Sequence, residues 1–298
     1  MWNRLNSVPV PRRIRLRMPF IEYGVPKNGL DAGSAGRNAL GTDDTRTESR
    51  SLNRRILFLH IPRSGGTSLH TYMKTLFSTE RTLRDITVNK IFVAHPEELK
   101  AQDLSALRDM DYIHGHFGYN FVDRLGEKFD VIANFRHPAT RIASMYFFWK
   151  NNFPDDYVPD EPGENGPALA KSMNFSEFIR HDSHFIRCLM NDAASRQLLS
   201  YPDPFSSLTP QDLATAKARV DSLSYFYVVE FPELSEMYFE KAFGFRAQIP
   251  NLNASYRDDK QKNRIGQEDL ELILESNRFD LEIYLHALTR LFYSTVNP

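Results

Sequence analysis

"RRILFLHIPRSGGTSLHTYMKTLF", residues 54–77, decides how the rest of the chain is read. Its first half holds "ILFLH" (56–60), an apolar run without the polar alternation of a strand that has one wet face. Such a run fits a parallel sheet covered on both sides. Its second half has the spacing of a helix that starts near Gly66, which leaves "IPRSGG" as the connection. Free amides and the positive end of the helix dipole make such a connection a ready anion site, and glycines let the backbone approach a ligand. Arg63 adds a charge, and Thr67 and Ser68 add hydroxyl donors. An ordinary turn, with glycines present for geometry alone, is the competing reading of these residues taken by themselves.

The triphosphate loop G-x-x-x-x-G-K-[ST] opens with glycine and sets lysine directly before the hydroxyl residue. Neither condition holds here, because the basic residue stands on the loop, four positions before Thr67. No acidic strand end offers itself as a magnesium ligand, so ordinary triphosphate hydrolysis is disfavoured.

The pattern of the first stretch repeats along the chain. "KIFVA" (90–94), "YIHGH" (112–116), "DVIANF" (130–135) and "FYVVE" (226–230) read as further strands, with helical segments between them. Thr209-Pro210 with Asp212 opens one helix, and Asn174 with Glu177 forms a capping-box pattern before another. Residues 268–292 carry apolar residues at helical spacing, as two consecutive helices or a kinked one. The fold class is therefore α/β, with a central parallel sheet flanked by helices in three layers.

Residues 1–50 are rich in Arg, Pro, Gly, Ser, Thr and Asn and read as a flexible N-terminal arm, leaving 51–298 as one domain. The 37 Lys+Arg against 38 Asp+Glu give a net charge of -1, which excludes the global basic field that non-specific nucleic-acid binding needs. Cys188 is the only cysteine, so no intramolecular disulfide forms and a reducing compartment is expected. With neither a signal-peptide pattern nor an apolar window long enough to span a bilayer, a cytoplasmic location and no membrane span are expected.

Two further constellations lie on this frame. "DVIANFRHPATRIASMYFFWK" (130–150) is a strand, an arginine, a proline suited to the first helical turn, and a helix. Arg136 at the strand end and Ser144, about two turns into the helix, can face one crevice beyond the carboxyl ends of the strands. A structural salt bridge of Arg136 is the alternative; Arg141 is expected to pair with a carboxylate, and the aromatics that follow to serve as core or wall. In "YIHGH", His114 and His116 stand two apart and share one face of a strand. A metal pair would need a third ligand that is not displayed, so no metal is expected. Structural histidines and a base for an acceptor hydroxyl remain. His60 and His137 lie close enough to the proposed cleft to rank as secondary candidates.

"FLHIPRSGGTSL" resembles the phosphosulfate-binding loop of the sulfotransferases that use 3′-phosphoadenosine 5′-phosphosulfate, in particular the carbohydrate sulfotransferases. The resemblance covers roughly residues 54–293 and implies that Arg63, Ser64, Gly65, Gly66, Thr67 and Ser68 hold the 5′-phosphosulfate. It further implies that Arg136 and Ser144 grip the 3′-phosphate. Arg63 departs from the usual lysine: a planar fork can neutralise the leaving phosphate but cannot readily give up a proton. "HGH" is similar to the motif of the uronyl 2-O-sulfotransferases acting on heparan and dermatan sulfates, which implies His116 as general base with His114 as support or alternative base. Arg257, Lys260, Lys262 and Arg264 are implied as candidates for a loop over the nucleotide, with a solvated charged loop as the equal alternative, and Ser224 to Tyr227 as neighbours of the adenine. The expected activity is sulfuryl transfer from 3′-phosphoadenosine 5′-phosphosulfate to a hydroxyl of an acceptor, a carbohydrate or glycoconjugate, without a metal. A P-loop-like small-molecule kinase and a non-catalytic nucleotide- or glycan-binding protein of the same fold are the alternatives.

Overall fold

β1 (Ile56–Leu59) is four consecutive apolar residues, each with 0% of its surface exposed. Successive side chains of a strand point to opposite faces, so a strand buried at every position is covered on both. The computed structural model describes residues 52–77, 107–125, 129–153, 166–201, 203–252 and 265–296. The N-terminal arm, the expected strand 90–94 and the basic loop carrying Arg257, Lys260, Lys262 and Arg264 lie outside the described residues.

β1 pairs in parallel with β2 (Tyr112–Gly115) on one side and with β3 (Asp130–Phe135) on the other, and β4 (Tyr225–Val228) adds to β3. The sheet order is β2-β1-β3-β4. β4 starts one residue before the expected run and stops at Val228, because Pro232 opens the next helix and the chain must turn ahead of it. The chain reverses its direction of winding between β1 and β3. In open parallel sheets such a reversal leaves a crevice outside the carboxyl ends of the two strands.

Eleven helices lie among the described residues: α1 (Gly66–Lys74), α2 (Tyr119–Leu125), α3 (Pro138–Asn152), α4 (Gly166–Ser172), α5 (Phe175–Arg180), α6 (His184–Met190), α7 (Ala193–Leu199), α8 (Pro210–Ser222), α9 (Pro232–Phe243), α10 (Gln267–Ser276) and α11 (Arg278–Val296). Both anticipated capping boxes form, at Asn174 with Glu177 before α5 and at Thr209 with Asp212 before α8. The C-terminal segment is two helices, broken at the fully buried Asn277. Its side chain donates to Ile273 O (2.9 Å) and accepts from Asp192 N (3.2 Å).

A second apolar cluster sits beside the core of the sheet. Ile142, Met145 and Tyr146 of α3 meet Phe178 of α5, Ile186 and Leu189 of α6, and Ile273 of α10. Arg141 of α3, only 1% exposed, pairs with Asp280 at 3.5 Å and donates to Leu189 O (3.0 Å), as a buried charge requires. Asp280 also accepts from Ala194 N, Ser195 N and Ser195 Oγ, so it caps α7. In return Asp192, the residue before α7, accepts from Phe279 N and Asp280 N at the start of α11. Each helix start thus holds the other's carboxylate.

Candidate functional site

The loop after β1 is fixed before it reaches any ligand. Asn134, buried near the carboxyl end of β3, accepts from Ile61 N (2.8 Å) and donates to Ile61 O (2.9 Å), which ties the loop's first residue across the crevice. The chain then passes through two left-handed residues, Arg63 (φ 62) and Gly65 (φ 79), into α1. A side chain at Gly65 would be strained in that conformation and would meet Val229 Cγ2 at 2.6 Å. One at Gly66 would lie 2.0 Å from the His60 ring, so the imidazole rests directly under the loop. Ser64 and Ser68 are buried, whereas Thr67 faces solvent at the start of the helix. Ser68 Oγ accepts from Leu252 N at 3.3 Å. Ser64 Oγ is buried without a hydrogen-bond partner among the described residues, an orphan that an anion on the loop amides would suit.

Arg63 leans across the crevice onto α3. Its Nη2 donates to Ser144 Oγ (3.3 Å), and its guanidinium stacks 3.9 Å from the centre of the Phe148 ring. Arg136, one residue beyond β3, donates from Nη1 to Arg63 O (3.1 Å) and from Nε to Thr140 Oγ1 (3.1 Å). The Thr140 hydroxyl in turn donates to Glu230 (2.8 Å), which also accepts from His137 N (3.1 Å). Burial pulls the Arg136 guanidinium below the ordinary arginine range, and the Glu230 carboxylate opposes that. Arg63, Arg136 and Ser144 therefore meet, with two guanidinium groups at the carboxyl ends of β1 and β3.

The histidines form one cluster on the other side of the loop. His60 Nδ1 and His114 Nε2 are 2.8 Å apart, the His70 ring stacks on His114 at 3.8 Å, and the His116 ring lies 4.3 Å from His60. Burial, helped by the neighbouring His116 and His114 imidazoles that disfavour a further positive charge, keeps His60 well below the usual imidazole range. Burial and the neighbouring His70 lower His114 to about 2. Both therefore stay neutral near neutral pH, and one donates to the other. His116 Nδ1 is 2.8 Å from the carbonyl of His60. A carbonyl only accepts, so Nδ1 carries the hydrogen and Nε2 is the nitrogen with the lone pair.

His137 lies apart from this cluster, edge-on to Tyr284. Ser224 is bonded to Asp130 at the opposite, amino ends of the strands, which removes it from the crevice, while the Tyr227 ring lies against Gly65. Among the described residues no group of three His, Cys, Asp or Glu side chains could hold a metal ion, and no helix is long and apolar enough to cross a membrane. The residues that sequence reasoning missed are the polar ones that fix the others: Asn134, Thr140 and Glu230, together with Gln197, which donates to the carbonyls of His60 and Phe117.

A search among curated proteins finds no match to this chain. Residues 50–286 match the profile of a family described as "Sulfotransferase family".

Proposed function

The chain belongs to the sulfotransferase family, and from that premise we propose that it transfers the sulfuryl group of 3′-phosphoadenosine 5′-phosphosulfate to a hydroxyl of a carbohydrate or glycoconjugate, with His116 as general base. The observation that carries this reading is the contact of Arg63 with Ser144 beside the Arg136 bond to Arg63 O, which sets two arginines and a helix N-terminus around one crevice. That arrangement suits a ligand with phosphate groups at two points.

When bound, the donor supplies the sulfuryl group and a phosphate that leaves as a stabilised anion. The amides at the start of α1, the Ser64 hydroxyl and Arg63 would hold the 5′ end, and Arg136 with Ser144 the 3′-phosphate. These amides are preorganised donors for the charge that grows on the departing phosphate, and such groups contribute a few kcal/mol each to lowering a barrier; Arg63 would reach that phosphate by leaving Ser144. His116 Nε2 takes the proton of the acceptor hydroxyl as the oxygen–sulfur bond forms and the sulfur–phosphate oxygen bond breaks. His114, low in basicity and engaged with His60, supports the cluster instead of competing for that proton. The saccharide part of the proposal rests on the likeness of the His-Gly-His motif.

Calorimetric titration with 3′-phosphoadenosine 5′-phosphate and with ATP tests the donor. The expected result is tighter binding of the bisphosphate without magnesium, and tighter, magnesium-dependent ATP binding would sink the proposal in favour of a kinase. His116→Ala is expected to abolish transfer to a panel of saccharides while leaving bisphosphate affinity intact.

A further inference from the structure

The last rung between β1 and β2 is His60 N donating to Gly115 O at 3.0 Å, and beyond it the two chains are held by side chains. The His60 carbonyl accepts twice, from His116 Nδ1 (2.8 Å) and from Gln197 Nε2 (3.0 Å). The same Gln197 nitrogen donates to Phe117 O at 3.0 Å. One amide thus spends its two hydrogens on two carbonyls, one belonging to the partner of His116 and the other to the residue after His116.

We propose that Gln197 is a positioning residue for His116: it holds the two strand ends at the separation that fixes the tautomer and direction of the imidazole. The proposal rests on the reading of His116 as the base. Three observations carry it. Gln197 is 2% exposed on α7, a helix in which every residue is buried, so the side chain has no freedom to sit elsewhere. Three residues on, Ser200 Oγ accepts from Asn120 N (2.7 Å), a second hold by the end of α7 on the segment that follows His116. Finally, Gln197 Oε1 is buried without a hydrogen-bond partner among the described residues, a cost that packing alone does not require. A methionine would fill the same length without it, so what the glutamine adds is its two donors.

Gln197→Met removes those donors and keeps the volume. The expected result is a fall in kcat on the order of 10²-fold, the scale on which small misplacements of a catalytic group act. Affinity for 3′-phosphoadenosine 5′-phosphate should stay within about twofold, because Gln197 bonds the carbonyls of His60 and Phe117 and not residues 61–66 of the donor loop. Ring-nitrogen NMR of labelled histidines reads the tautomer directly, with the His116 signal identified by its absence in His116→Gln. The wild type should show hydrogen on Nδ1, and Gln197→Met an averaged or Nε2–H pattern. Ser200→Ala cuts only the second hold and should move both readouts the same way by less, which keeps the test open if Gln197→Met does not fold. An unchanged Nδ1–H pattern in both variants overturns the proposal. A wild-type chain that binds no bisphosphate overturns the sulfotransferase reading instead, and the tautomer measurement still decides the role of Gln197.

Discussion

Removing Asp280 should cost more than removing any surface charge, because one carboxylate holds two helices and a buried cation. It is 4% exposed, accepts from Ala194 N (3.1 Å), Ser195 N (2.7 Å) and Ser195 Oγ (2.8 Å), and faces Arg141, itself 1% exposed. Asp280→Ala strands the Arg141 guanidinium in an apolar cluster and uncaps α7. Breaking a buried pair from one side costs about 3–5 kcal/mol, and losing a helix cap about 1 kcal/mol. Taking about 4 kcal/mol for the sum of these overlapping losses, a domain of this size should melt roughly 8–16 °C lower. Arg141→Met should cost less, since Asp280 keeps its three donors from α7. The double variant should cost about 1–3 kcal/mol less than the two singles added, because the stranded cation is gone. Melting curves and urea titrations of the four chains measure this. An Asp280→Ala loss below about 1 kcal/mol, or strict additivity, would refute the reasoning that this pair and its caps act as one unit.

Gly66→Ala sets a methyl group 2.0 Å from the His60 ring. Overpacking of that kind costs about 1–3 kcal/mol, and since both the loop and the imidazole must shift, bisphosphate affinity should fall with stability; unchanged melting and binding would mean that the ring has room to leave. Burial and the Asp280 carboxylate push Asp192 from its ordinary 3.8 up to about 7. A carboxyl raised on folding adds stability that is fully present below the unfolded value and is lost as pH rises to the folded one. Wild-type stability should therefore decline across that window, and Asp192→Asn, which keeps an acceptor for Phe279 N and Asp280 N, should flatten the decline. Urea midpoints taken at several pH values decide it, and an equal slope in both chains would remove Asp192 from the account.

What the sequence disclosed depended on distance along the chain. β1, β2 and β3 were legible because runs such as "ILFL" have no polar alternation, and the helix starts at Thr209 and Asn174 were legible because caps act within three residues. The expected meeting of Arg136 and Ser144 took a different form: Ser144 accepts from Arg63, and Arg136 holds the Arg63 carbonyl, so the two phosphate-type loops join through the arginine of the first. The residues that hold the site in place were not legible. Asn134 bonds a residue 73 positions away, and Gln197 one 137 positions away. Nothing local marks such pairs, save that an asparagine among the buried apolar residues of β3 breaks the local pattern and on that ground alone marks a position to examine.

The same contacts give a reason for arginine at position 63. A left-handed residue other than glycine costs roughly 1–3 kcal/mol and persists only where its surroundings hold it. Here the Asn134 bonds fix Ile61, and the Arg136 bond fixes the carbonyl of Arg63 itself, so the backbone has little choice. The side chain that leaves this strained position must cross to α3, where a hydroxyl and an aromatic face stand side by side. A planar guanidinium can bond Ser144 and stack on Phe148 at once, whereas a lysine ammonium concentrates its charge at one point and has no plane to stack. Arginine therefore couples the loop after β1 to the helix after β3, and any ligand with phosphates at both would meet one connected set of donors.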